Sequence, residues 1–122
     1  MKAFLVTNMD KTYISIKNEF SDLHKWKDAP DEVMFLKNEH RHLFKVETTI
    51  AVTHDDRELE FFMVQKTIDE IIQEHIITMP VTKSCEMMAQ EIIKRLIIKY
   101  GDRSIQCSVS EDGENGAIVV HH

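Results

Sequence analysis

Two histidines separated by one residue, His40 and His42, stand at the head of a run that continues to about Val52. A neutral imidazole offers a nitrogen donor, and two of them on one face of an extended chain can converge on one cation. His40, His42, Phe44, Val46, Thr48, Ile50 and Val52 share one parity, so in a strand all of them project from the same side, imidazoles first and an apolar floor behind. The β-branched residues Val46, Thr48, Thr49, Ile50, Val52 and Thr53 favour strand over helix. Upstream, His24 has the parity of Ile14, Ile16 and Phe20 and so leaves its segment on the core side. Alone it would read as a structural residue. Together with the histidine pair it completes three imidazoles from two neighbouring strands, the three-protein-ligand set of a catalytic zinc whose fourth position is left for water or substrate. Glu111 shares its parity with Ile105, Cys107 and Val109. A carboxylate ending an apolar face is costly to desolvate unless something meets it. Either it reaches water at a frayed strand end, or it anchors a ligand with paired N–H donors.

The elements that must position these groups follow from periodicity. Met1 to Phe20 alternates weakly and reads as one long bent strand or a hairpin. The segment Phe20 to Trp26 follows, and then a polar loop containing Ala29-Pro30-Asp31 runs to about Asn38. Beyond the β-run, His54-Asp55-Asp56-Arg57 is a turn, and Glu58 to Phe62 reads as the end of a returning strand. A helix is predicted from about Met63 to Ile77, with Val64, Ile68, Ile71, Ile72, His75 and Ile76 on one face, and Met79-Pro80 breaks it. A second helix is predicted from about Ser84 to Tyr100, capped by Thr82 or Ser84 and stopped by Gly101. Its methionines and isoleucines are core. Strands at Ser104–Glu111 and Ala117–Val120 flank a turn at Asp112 to Gly116. The order β, β, α, α, β, β describes an α+β protein, a four-stranded antiparallel sheet with two helices on one face.

Length and composition bound the function. The 122 residues make a single domain over 1–122 with one modest core. His121 and His122 read as the stub of a purification tag and are set aside. A net charge of -6, from 15 basic against 21 acidic residues, argues against nucleic acid or an anionic membrane as partner. No stretch approaches the roughly 20 apolar residues of a membrane span, and no basic-then-apolar leader is visible. Cys85 and Cys107 are expected as buried thiols in a reducing compartment, which points to the cytoplasm.

From about Ile14 to Val119 the chain resembles the 6-pyruvoyl-tetrahydropterin synthase and 6-carboxy-tetrahydropterin synthase family, whose members have the tunnelling fold. Phe20-Ser21-Asp22-Leu23-His24 is similar to the family's F-S-A-A-H, and His40-Arg41-His42-Leu43-Phe44-Lys45-Val46 to its H-G-H-N-Y-x-V; these carry the zinc histidines. Glu60-Phe61 followed by Val64 resembles D-F-x-x-L, and Glu74-His75 falls near L-D-H, the acid and histidine of a proton relay. Ser84-Cys85-Glu86-Met87-Met88-Ala89 resembles T-S-E-N-L-A, whose first positions contact the pterin, and Val109-Ser110-Glu111 matches V-x-E, whose glutamate holds the pterin's amino-pyrimidinone edge.

The resemblance implies a Zn2+-dependent lyase-type enzyme acting on dihydroneopterin triphosphate or a related dihydropterin. His24, His40 and His42 would hold the metal, and Glu111, Ser84 and Cys85 the substrate. His75 would be the base, oriented by Glu74; the simpler reading packs His75 on its helix and leaves Glu74 solvated. Subunits would close their sheets into a β-barrel as a homo-trimer or homo-hexamer. The departures are specific. The loop Lys25 to Glu39 lacks the family's cysteine, with Met34 or Leu36 in its place, and Glu32 and Glu39 are the available stand-ins. Arg41 replaces the glycine between the histidines, Leu43 the following asparagine, and the loop from His75 to Ser84 is short. The competing readings are a non-catalytic tunnelling-fold protein that binds zinc and a pterin- or purine-like ligand, and an α+β domain whose histidines coincide by chance.

Overall fold

A computed structural model describes residues 10–122 of the chain. The expectation for Met1 to Met9 lies outside the described residues. Four strands form one antiparallel sheet in the order β1 (Thr12–His24), β2 (His40–Val52), β3 (Ile105–Glu111), β4 (Asn115–His121). Alternation decides which face is buried. Ile16 and Phe20 of β1, Phe44, Val46 and Ile50 of β2, and Ile105, Cys107 and Val109 of β3 all turn inward. Against them pack helix α1 (Phe61–Ile71) through Val64, Ile68 and Ile71, and helix α2 (Cys85–Tyr100) through Met88, Ala89, Ile92, Ile93 and Leu96. The fold is thus α+β, a four-stranded antiparallel sheet with helices on one face. Among the described residues no helix is long and apolar enough to cross a membrane.

Three expectations are corrected. Glu58 to Phe62 is not a returning strand: Glu60 caps α1, its carboxylate accepting the N–H groups of Phe62 (2.9 Å) and Met63 (3.1 Å). Both flanks of β2 are already paired, by β1 and β3, so no ladder is left for such a strand. The loop before His40 contains a 3-10 helix, Asp31–Lys37, entered through Pro30, whose ring fixes φ at a value suited to a helix start. The predicted helix to Ile77 changes character: after Ile71 it widens into a π turn, Ile72–Ile76, closed by the Ile77 N–H donating to the Ile72 carbonyl at 2.9 Å. That turn keeps Ile72 and Ile76 buried and leaves His75 half-exposed.

Ser84 is the α2 cap, its hydroxyl accepting from the Met87 N–H at 3.1 Å, and Gly101 ends the helix at φ +89°, where a side chain would be strained. Cys85 and Cys107 are both free and buried. The last strand is longer than its apolar residues suggest, because Gly116 pairs with Ser110 inside it; a Cβ there would clash with the Val109 carbonyl oxygen. His121 belongs to β4, opposite Ile105, with its ring 2.7 Å from Asp102.

Candidate metal centre

Strand register brings the chemistry to one corner of the sheet. His24, the last residue of β1, lies opposite His40, the first of β2, and Asp22 lies opposite His42. Glu111, the last residue of β3, lies opposite Phe44. Since alternate residues face the helices, all three imidazoles and the carboxylate turn to the same side. The rings stand edge to face: 4.6 Å between the centroids of His24 and His40, 5.3 Å for His24 and His42, and 4.9 Å for His40 and His42. Phe44 forms the apolar floor, 5.2 Å from His24, and stacks on Phe20 at 5.3 Å. One ligand atom from each of His24, His40, His42 and Glu111 lies within 4.8 Å of the others, so this group could hold a metal ion.

Each imidazole is oriented through its Nδ1. That of His40 donates to the Asn38 carbonyl at 2.8 Å, that of His24 to the Lys83 carbonyl at 3.2 Å, and that of His42 to Asp112 Oδ2 at 2.7 Å. Carbonyls and carboxylates only accept, so each Nδ1 carries a proton, and in the neutral ring the lone pair then lies on Nε2, available to a cation. The Nε2 of His24 is buried without a hydrogen-bond partner. Glu111 Oε2 lies 2.9 Å from it without forming a hydrogen bond. An orphaned buried nitrogen at the meeting point of four donors fits a metal ligand. Burial lowers the His24 pKa, outweighing the raising effects of Glu111 and the Lys83 carbonyl, and the two neighbouring imidazoles push the same way as burial. The ring is therefore held in its neutral, metal-binding form. Asp112 is held below the usual carboxylate range by its hydrogen bonds, chiefly that to His42 and then that from the Leu43 N–H.

Beside the cluster lies a cavity of about 530 Å³ with His24, His40 and Glu111 in one wall and the start of α2 in the other. Trp26 and Leu36 close it, joined by the Trp26 N–H donating to the Leu36 carbonyl at 2.8 Å. Ser84 and Cys85 line it, but the thiol is not a ready nucleophile: burial, then Glu111 and Glu86, push it up to about 12. Glu74 and His75 sit together on the π turn, 3.8 Å apart, and do not line this cavity; neither do Glu32 and Glu39. A second cavity of about 570 Å³ at the opposite end of β1, against Tyr13, Glu58 and Phe61, holds no group of metal-ligating side chains among the described residues.

Sequence reasoning missed three contributors. Asp112 read only as a turn residue, although its place directly after Glu111 was a usable signal. Trp26 was passed over as part of the segment leaving β1. Lys83 gave no signal at all: it is buried, paired with Asp22 at 2.9 Å, and its carbonyl orients His24. No protein-family model matches the chain, and no curated protein matches it.

Proposed function

We propose that the protein is a zinc-dependent lyase-type enzyme acting on dihydroneopterin triphosphate or a related dihydropterin. The observation that carries this reading is the convergence of three imidazoles, their Nε2 atoms free, beside a cavity that also presents the Glu111 carboxylate. Three imidazole nitrogens suit zinc and leave a fourth position for water or substrate. A bound ion would polarise substrate oxygens placed against it and acidify neighbouring protons. The chain's own residues do the rest. Glu111 accepts the paired N–H groups of the amino-pyrimidinone edge, Trp26 offers an aromatic wall to a planar ring, and the Ser84 hydroxyl retains a donor for the ligand. His75, with Glu74 beside it, is the candidate base. Since neither lines the cavity of its own chain, the assembly implied by the family resemblance matters: the tunnelling fold closes copies of such a sheet into a barrel, as a trimer or hexamer.

A second reading has its own support. The loop before His40 has no cysteine, and the Cys85 thiol, pushed up to about 12, does not supply a thiolate. A non-catalytic protein that binds zinc and a pterin-like ligand would need neither.

Metal analysis comes first, on protein in which His121 and His122 are alanine. Zinc should co-purify with this variant and be lost when His40→Ala is added; its persistence there would remove the metal centre and both readings with it. Incubating the zinc-loaded protein with dihydroneopterin triphosphate then separates them. Loss of the phosphate chain with side-chain rearrangement or shortening identifies the enzyme, whereas pterin binding without turnover identifies the binder.

A further inference from the structure

The position of Glu111 contains more than a substrate anchor. Its Oε2 lies 2.9 Å from His24 Nε2 and its Oε1 3.8 Å from His42 Nε2. His24 Nε2 is buried and has no hydrogen-bond partner, although a Glu111 carboxylate oxygen lies 2.9 Å away. A cation held by both atoms would satisfy the nitrogen and neutralise the carboxylate. A tetrahedral ion with bonds of about 2.0–2.2 Å places its ligand atoms about 3.3–3.6 Å apart, a spacing the cluster reaches with small side-chain movements. The Glu111 backbone is fixed meanwhile. Next to it, Asp112 donates its N–H to the Leu43 carbonyl at 2.8 Å and accepts the Leu43 N–H at 3.0 Å.

We propose that Glu111 is the fourth ligand of the metal when the cavity is empty, so that metal and heterocycle compete for one carboxylate. The inference rests on the metal and heterocycle readings above. The resting centre is then closed, three imidazoles and a carboxylate, and it opens only when the N–H groups of a ligand draw Glu111 toward the cavity it also lines. Coupling of this kind is reciprocal: whatever factor the metal takes from ligand affinity, the ligand takes from metal affinity.

Cobalt(II)-substituted protein tests the ligation through its visible spectrum under azide titration. The wild-type spectrum should not respond, while Glu111→Gln and Glu111→Asp should respond and bind zinc at least tenfold more weakly in a chelator competition. The aspartate variant keeps the charge but shortens the reach, so it separates ligation from electrostatic attraction. An azide response of the wild-type protein equal to that of the variants overturns the proposal. Circular dichroism of the metal-free variants establishes that they fold. The competition is read with pterin itself, which lacks the side-chain oxygens that could contact the metal. Its dissociation constant should be several-fold higher for zinc-loaded than for metal-free protein, and equal or tighter binding with zinc overturns the competition. If pterin binds neither form, the heterocycle reading and the competition both fall, while the azide titration still decides the ligation.

Discussion

Asp112 and His42 show how much of the site is decided one residue behind the side chains that could hold a metal. The carboxylate fixes the imidazole's tautomer through a 2.7 Å bond and anchors the neighbouring backbone through Leu43. Replacing such a partner commonly lowers metal affinity 10–100-fold. Asp112→Asn should do so in a zinc competition while moving the melting temperature of the metal-free protein little, because the residue is exposed. A second residue carries a pH signature away from the site. The N–H and hydroxyl of Thr53, followed by Arg103, hold Glu58 below its ordinary carboxylate value. A depressed folded-state pKa means that the unfolded chain binds more protons in acid. The contribution is therefore complete above the unfolded value and lost as pH falls through the folded one. Glu58→Gln should lower the melting temperature at pH 7, and the gap to wild type should close as pH falls through the depressed folded-state pKa of Glu58. At this scale the three histidines and Glu111 were legible because strand parity reports facing directly. The carbonyl of Lys83 was not, since a backbone acceptor leaves no trace in side-chain identity.

Among the elements, the strands were readable where alternation is strong and misread where a cap imitates it. Glu58 to Phe62 mixes acids with apolar residues as a half-buried strand would, yet Phe61 and Phe62 are exposed and Glu60 is spent on the α1 N-terminus. The 3-10 helix had no periodic apolar face to betray it, as it buries none of its residues. β2 is the element on which the corner depends. Its Phe44 is fully buried between Phe20 and the imidazoles. Phe44→Ala should cost about 3–5 kcal/mol in urea unfolding. Metal loading should recover part of that loss, because ligands that bind only the folded chain stabilise it by mass action.

For the molecule as a whole, the sheet order among the described residues leaves one long edge on β1 and one short edge on β4. On the face away from the helices, β4 exposes Ile118 and Val120, opposite Ser108 and Gln106. Unpaired edges beside exposed apolar side chains are surfaces that proteins pair or cover. Sedimentation should find an oligomer, and the double substitution Ile118→Glu with Val120→Glu should reduce it to a monomer with its circular dichroism intact. A wild-type monomer would contradict the assembled barrel. The overall architecture was legible because the period of the apolar residues changes clearly from strand to helix and back. The trimer or hexamer is an expectation from the family resemblance alone, because exposed β-branched residues carry no address.

β2 also outruns its neighbour. Pairing with β3 stops at Phe44, so His40 to Leu43 extend beyond it, flanked on that side by the Asp112 turn. Amides two apart on a strand point the same way, so the Arg41 N–H shares the direction of Leu43 but projects past the end of the hairpin. This short overhang is where solvent deuterium should enter first. Occupation of the corner should slow the uptake there, turning the ligand-bearing tip of the strand into its own reporter.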